Sequence, residues 1–324
     1  MFVNLKVLFF VFFSFIASCT SLPLESIKHY ADAFQNAHNA SGLLLDEVSP
    51  IVTASFSNTD QKNECGVSKY GYLECFDPAL VTFNGSLQIS EHPSITARRD
   101  ALNTLSTYNQ MLVELAGGKS ITALHSKIDG LSNLIGTVSE LDLLSNSGLP
   151  ALIDPAAMFM KNFVGRIKQA KSNEAVKKAI LESKSDIDEL LNALADDSSH
   201  LYKVFRTGRE SERLRLKGNL RMAEIRYKKN KSAANKQALD AATNRFNANV
   251  QSIFKFGESL IVYVQLLRAT STAIHSLGNS SNNTKITSAD TVRVITGAVD
   301  LKNKANELKS KISEIRKNVA TSKN

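Results

Sequence analysis

Glycine and proline are scarce, 15 and 6 of 324 residues, tryptophan is absent, and no apolar run is longer than the one near the N-terminus. The shortage of glycine and proline excludes a collagen-like chain, which needs glycine at every third position. The lack of long apolar stretches excludes a polytopic membrane protein, whose spans each need about 20 apolar residues. Disorder is excluded from the other side, because 43% of the residues are hydrophobic, enough to bury a core in a chain of this length. The length permits one large domain or two ordinary ones.

The signatures of catalysis are missing as well. Gly117-Gly118-Lys119-Ser120 lacks the first glycine of a phosphate-binding loop, where Val113 stands, and it follows a helical pattern, so the two glycines read as a helix stop. The six histidines never stand three or four apart and none has zinc-protease spacing to a glutamate. Asp186, Asp188, Glu189, Asp196 and Asp197 lack the glycine turn of a calcium loop and read as solvated charge. No G-x-S-x-G elbow occurs. The chain is therefore expected to be no enzyme and to hold neither metal nor cofactor.

What is present starts at the N-terminus. One cation, Lys6, precedes the run Val7 to Phe13, and after Ser14 come Phe15, Ile16 and Ala17. At about 11 residues this is a signal-peptide core, too short to span a bilayer. It ends in Ile16-Ala17-Ser18-Cys19, which resembles the lipobox of bacterial lipoproteins; the rest of the chain resembles no family. The resemblance implies that residues 1–18 are removed and that Cys19 carries acyl chains such as palmitate. Thr20 is not the aspartate associated with inner-membrane retention, so it also implies the periplasmic face of the outer membrane. The other reading is an ordinary secretory signal with Cys19 incidental. Its eukaryotic version would use the sequons at Asn39, Asn84, Asn230, Asn279 and Asn282, matches that arise easily in a chain rich in Asn, Ser and Thr.

With Cys19 taken by lipid, Cys65 and Cys75 remain as one pair. An even remainder in an oxidising compartment suggests a disulfide, which would stabilise by about 2–3 kcal/mol on the chain-entropy model.

The mature chain reads as an all-α, elongated antiparallel bundle. Residues 19–57 form a tether and first helix, with Ile27, Tyr30, Phe34, Ala37, Leu44, Val48 and Ile51 as its seam. Pro50 is expected to kink or end it near Ser49. Residues 58–93 form an irregular insert holding the cysteine pair, with a possible short hairpin at 80–85. Residues 94–230 form a helical bundle. In it Ser94 caps a helix with seam Leu102, Leu105, Leu112 and Leu115, a second helix starts at Ser120, and a third starts near Pro155. The pattern then runs from Val176 to Phe205, with Gly208 as a bend and no strong break before Lys229-Asn230. Residues 232–324 form a coiled-coil-like hairpin. Its first helix has the seam Leu239, Ala242, Phe246, Val250, Ile253, Gly257, Leu260, Val264, Leu267, Ser271 and Ile274; its second has Val294, Ala298, Leu301, Ala305, Leu308, Ile312, Ile315 and Val319. The small seam residues are expected to let these two helices approach closely.

Charge is concentrated in one place. Between Lys203 and Lys231 stand eleven basic residues against Glu210, Glu212 and Glu224, a local net charge of +8 that equals the formal charge of the whole chain. Arg209, Arg213, Arg215, Lys217, Arg221, Arg226, Lys228 and Lys229 are the candidate contacts to an anionic envelope component or an acidic envelope protein. The plainer reading is a solvated helix face supported by intrahelical pairs such as Arg206 with Glu210, with Leu214, Leu220, Ala223 and Tyr227 as the buried side. Nucleic acid is not an expected partner, since no zinc finger or RNA-binding motif is present and export removes the chain from it.

Residues 148–165, rich in Leu, Met and Phe, allow a competing reading as a membrane-inserting element like those of helical pore-forming toxins; the plainer one is a core-packed connection. The functional expectation is a non-enzymatic binding or structural role in the cell envelope, by a lipoprotein held on the membrane through its anchor.

Overall fold

A computed structural model describes residues 22–56, 93–116, 159, 162–163, 165–166, 173–282 and 287–323. Among them the chain forms six helices and no strand: α1 (Leu24–Phe56), α2 (Pro93–Ala116), α3 (Asn173–Glu182), α4 (Lys184–Lys229), α5 (Ala233–Asn282) and α6 (Ser288–Lys323). This is the all-α bundle that the periodicity predicts. Cys19, Cys65, Cys75, the possible hairpin at 80–85, and the helix starts at Ser120 and Pro155 lie outside the described residues.

α5 is the central element. It runs antiparallel to α6, with Lys304 Nζ 2.9 Å from Gln265, Lys311 Nζ 2.8 Å from Glu258 and Lys255 Nζ 3.1 Å from Glu314. It also runs antiparallel to α4: Lys184 donates to Asn279 at one end (2.6 Å), and Phe205 stacks on Phe256 further along with ring centroids 4.0 Å apart. α1 lies parallel to α6, through Lys309 to Asn36 (2.9 Å) and Arg316 to Glu47 (2.6 Å). α2 returns antiparallel along α1, bonded at His38–Asn103 (3.1 Å) and Arg99–Asp46 (2.7 Å).

The core forms where these helices overlap. Tyr30, Leu44, Val48, Tyr108, Ile187, Phe205, Phe256, Ile274 and Leu301 are buried in one continuous cluster. Tyr108 sits edge-on to Phe159 and Phe163, at 6.1 and 5.4 Å, and its hydroxyl donates to the Ile180 carbonyl at 2.8 Å. Both phenylalanines of the 148–165 segment are thus core residues.

Some local expectations change. Pro50 does not end α1, which continues to Phe56. Proline removes one backbone donor, but Val52 just beyond it is buried and Ile51 packs against α4, so tertiary contacts carry the helix past the break. Gly208 does not break α4, which runs on through it, and a Cβ there would collide with Ile51 Cγ2. Its value is close approach of two helices. The unbroken pattern expected from Val176 to Phe205 is interrupted at Ser183, whose N–H bonds back to the Ile180 carbonyl (3.3 Å) and whose hydroxyl donates to Ala179 (2.9 Å).

The α6 seam is buried as read from Val294 to Ile315, with Val319 partly buried. The α5 seam is buried in part: Leu260, Leu267 and Ile274 are buried as read, and Ile253 packs against the core. Val250 is exposed, Gly257 faces Tyr202 of α4, and Ser271 donates to Asp188 of α4 at 2.6 Å. A second buried line runs through Asn249, Ser252, Phe256, Ser259, Tyr263, Leu266, Thr270, Ala273 and Leu277. A helix clasped by several neighbours buries more than one seam.

Candidate basic arm

α4 and α5 outrun the bundle. Ile51 near the end of α1 meets α4 at Gly208, and the charge of Lys323, at the end of α6, is felt at Glu212. Beyond that level, among the described residues, α4 has only α5 beside it. Burial follows: between residues 213 and 247 only Leu216 and Ala223 are buried. The two helical segments of this arm, 213–229 and 233–247, extend about 25 and 22 Å at 1.5 Å per residue.

The turn is built locally. α4 stops at Lys229, and Asn230 adopts an extended conformation. Ser232 Oγ accepts the Asn235 N–H at 3.3 Å as an N-cap for α5, and the Asn235 side chain donates to the Asn230 carbonyl at 2.7 Å.

Ten lysines and arginines fall within 213–247, against Glu224 and Asp240 alone. Eight of them come from the α4 side and its turn. Lys236 and Arg245 are added by α5; the sequence reading ended at Lys231 and missed them. Their signal was available in the hairpin, which folds those positions back alongside α4.

The eight candidate residues do not share one environment. Arg209 sits half-buried at the neck, its guanidinium 5.4 Å over the Phe205 ring. Burial lowers its pKa, opposed by Glu47 and Glu212. Arg213 is bonded through Nε to Glu210 at 2.9 Å and through a second nitrogen to the same carboxylate. Arg215 is held by Glu212 at 2.7 and 2.6 Å. These hydrogen bonds hold both glutamates below the usual carboxylate range, so the two arginine charges are partly answered at home. Glu210 is hydrogen-bonded to Arg213, and Arg206 adds a weaker Coulombic attraction. Lys217, Arg221, Arg226, Lys228 and Lys229 are exposed and form no ion pair among the described residues.

The buried side of the arm also differs from its sequence reading. Leu216 and Ala223 are buried and Leu220 and Tyr227 half-buried, whereas Leu214 points to solvent. Leu214 is six residues from Leu220, a step that puts the two on different faces of a helix.

Elsewhere the polar clusters are structural. Asp188 accepts both the Ser271 hydroxyl and His275 Nε2 at 2.6 Å. Both groups end on the carboxylate, so this is a clamp between α4 and α5 and not a hydroxyl presented to a base. Asp197 holds Arg98 through two bonds of 2.6 and 2.7 Å, with the pair 7% and 2% exposed, and Arg98 also donates to the Ser94 carbonyl at 2.7 Å. Arg166 binds Asp186 at 3.0 Å. Asp186, Asp188 and Asp197 are therefore partnered, not solvated as the sequence suggested; their partners lie 20 to 99 residues away in the chain. No cluster of metal-ligating side chains and no helix long and apolar enough to cross a membrane occurs among the described residues. The chain matches no protein family model, no curated protein and no solved structure.

Proposed function

We propose that this chain is a helical lipoprotein, anchored through Cys19 to the periplasmic face of the outer membrane, that uses its basic arm to bind an anionic component of the envelope. The observation that carries the reading is the placement of cations without an ion pair on a stretch where α4 has only α5 beside it, both among the described residues. An ordinary solvated face would be laced with pairs along its length; here the pairs stop at Arg215.

Position supports a bridging role. α1 begins at the end of the bundle opposite the arm, since its direction is that of α4 and α6 and its far end meets Gly208. Counting along α1 from Leu24 to Ile51 and along α4 from Gly208 to Lys229, the arm tip stands roughly 70 Å from the first turn of α1. The first turn of α1 and the arm tip thus lie at opposite ends of the described helices.

The test reverses the unpaired cations Lys217, Arg221, Lys228 and Lys229 to Glu, sparing the arginines already held by glutamates. Helical circular dichroism is expected to stay unchanged while salt-sensitive co-sedimentation with anionic envelope fractions is lost. Retained co-sedimentation rejects the arm as the binding site. The intact mass of membrane-extracted protein, beside a Cys19→Ser variant, tests the anchor: acyl chains on Cys19 are expected, with two protons missing for a Cys65–Cys75 bond.

A further inference from the structure

We propose that the arm docks on an anionic phospholipid bilayer, with the outer face of α4 laid into the headgroup layer. This rests on the reading of the arm as an anion-binding surface and names its partner. A helix clasped by a single neighbour needs one apolar seam, yet α4 carries two along the arm. The inner one, Leu216, Leu220, Ala223 and Tyr227, faces α5. Leu214, Gly218, Met222 and Ile225 follow one another at steps of four, four and three, so they share the opposite face. Leu214, Met222 and Ile225 are 57%, 52% and 50% exposed, and a Cβ on Gly218 would meet nothing within 4 Å.

A soluble polyanion would use the cations and leave these three side chains in water. A bilayer interface uses both. Lys217, Arg221, Lys228 and Lys229 flank or interrupt the apolar stripe, and their long stems let the charged heads reach lipid phosphates while Leu214, Met222 and Ile225 enter the acyl boundary. The α5 side of the arm offers no such face: its exposed residues are Ala233, Ala234, Lys236, Gln237, Ala238, Asp240, Asn244 and Asn247. Docking is thus through the α4 side, over about 22 Å from Leu214 to Lys229.

The absence of tryptophan supplies the probe. Full-length chain carrying Met222→Trp, Ile225→Trp or, as a control on the α5 side, Gln237→Trp is held in nanodiscs of phosphatidylcholine. It is then mixed with vesicles of phosphatidylcholine with or without phosphatidylglycerol. With anionic vesicles, emission at positions 222 and 225 is expected to shift to the blue and to be quenched by brominated acyl chains, with neither change at 237 and neither with neutral vesicles. Arg221→Gln and Lys229→Gln are each expected to weaken vesicle affinity about fivefold. Circular dichroism confirms that each variant keeps its helices. Unmoved emission at 222 and 225 overturns the inference, as does an equal shift at 237. Heparin then separates the two readings: binding that depends on Lys217, Arg221, Lys228 and Lys229 leaves the arm an anion site without a lipid partner. Loss of both vesicle and heparin binding removes the arm reading altogether.

Discussion

The lower part of α4, from Lys184 to about Glu212, and its upper part, from Arg213 to Lys229, belong to one unbroken helix in different surroundings. Below, α4 is gripped by several helices, and even its charged residues are captured: Asp188 by Ser271 and His275, Asp197 by Arg98. Above, it has α5 alone among the described residues, buries two residues, and leaves five cations and three large apolar side chains exposed. Helix propensity does not separate the two halves. The number of neighbours does, and stability and availability for binding run in opposite directions along the same helix.

The largest expected effect lies below. Asp197→Ala leaves the Arg98 guanidinium buried with its main partner gone, and is expected to cost about 3–5 kcal/mol, read as a lowered midpoint in urea. If the midpoint does not move, the bundle tolerates a lone buried charge and the contrast fails. Next comes Leu216→Ala, the best-buried apolar position of the arm. A core truncation costs about 2–5 kcal/mol, but here the loss is expected as faster amide exchange confined to 213–247, with the global midpoint in place. A matching drop in global stability would mean that arm and bundle unfold as one.

Two glycines ten residues apart on α4 sharpen the comparison further. Gly208→Ala drives a methyl into Ile51 and is expected to cost about 1–3 kcal/mol. Gly218→Ala meets open space in a helix interior and is expected to stabilise the arm by about 0.5–1 kcal/mol. Opposite signs in paired exchange and melting measurements support the division; equal signs reject it.

The smallest effect concerns pH. Burial lowers the pKa of His200 below 6.5, helped by Arg98 and Lys203 and opposed by Asp197. The unfolded imidazole takes up a proton below about 6.5 while the folded one resists it, so stability is present above that range and falls as pH drops through it. His200→Gln is expected to flatten that part of the stability curve. An unchanged slope assigns it to other groups.

How much of this was legible depends on the distance between partners. The α6 seam, from Val294 to Ile315, was readable because one face meets the core and the spacing states which. The α5 seam was legible only in part, through Leu260, Leu267 and Ile274, because a helix packed on several sides offers more than one buried line. Leu214 was counted as buried by its residue type, although its angular position put it outside. Arg98 and Asp197 could not be paired from a sequence that sets them 99 residues apart. The basic segment was visible as composition, yet composition could not divide it into Arg209 at the neck, two arginines already paired, and five cations left over.

By itself the sequence determined that the chain is helical, where α4 ends, and that its positive charge is gathered in one stretch, since hydrophobic period, turn chemistry and charge are local properties. Tertiary structure decided that Pro50 lies inside a helix, that Gly208 is a close contact between helices, and that the charged stretch lies outside the core of the described residues. Those outcomes depend on which helices reach a given level of the bundle, and among the described residues α1 and α6 end near the base of the arm.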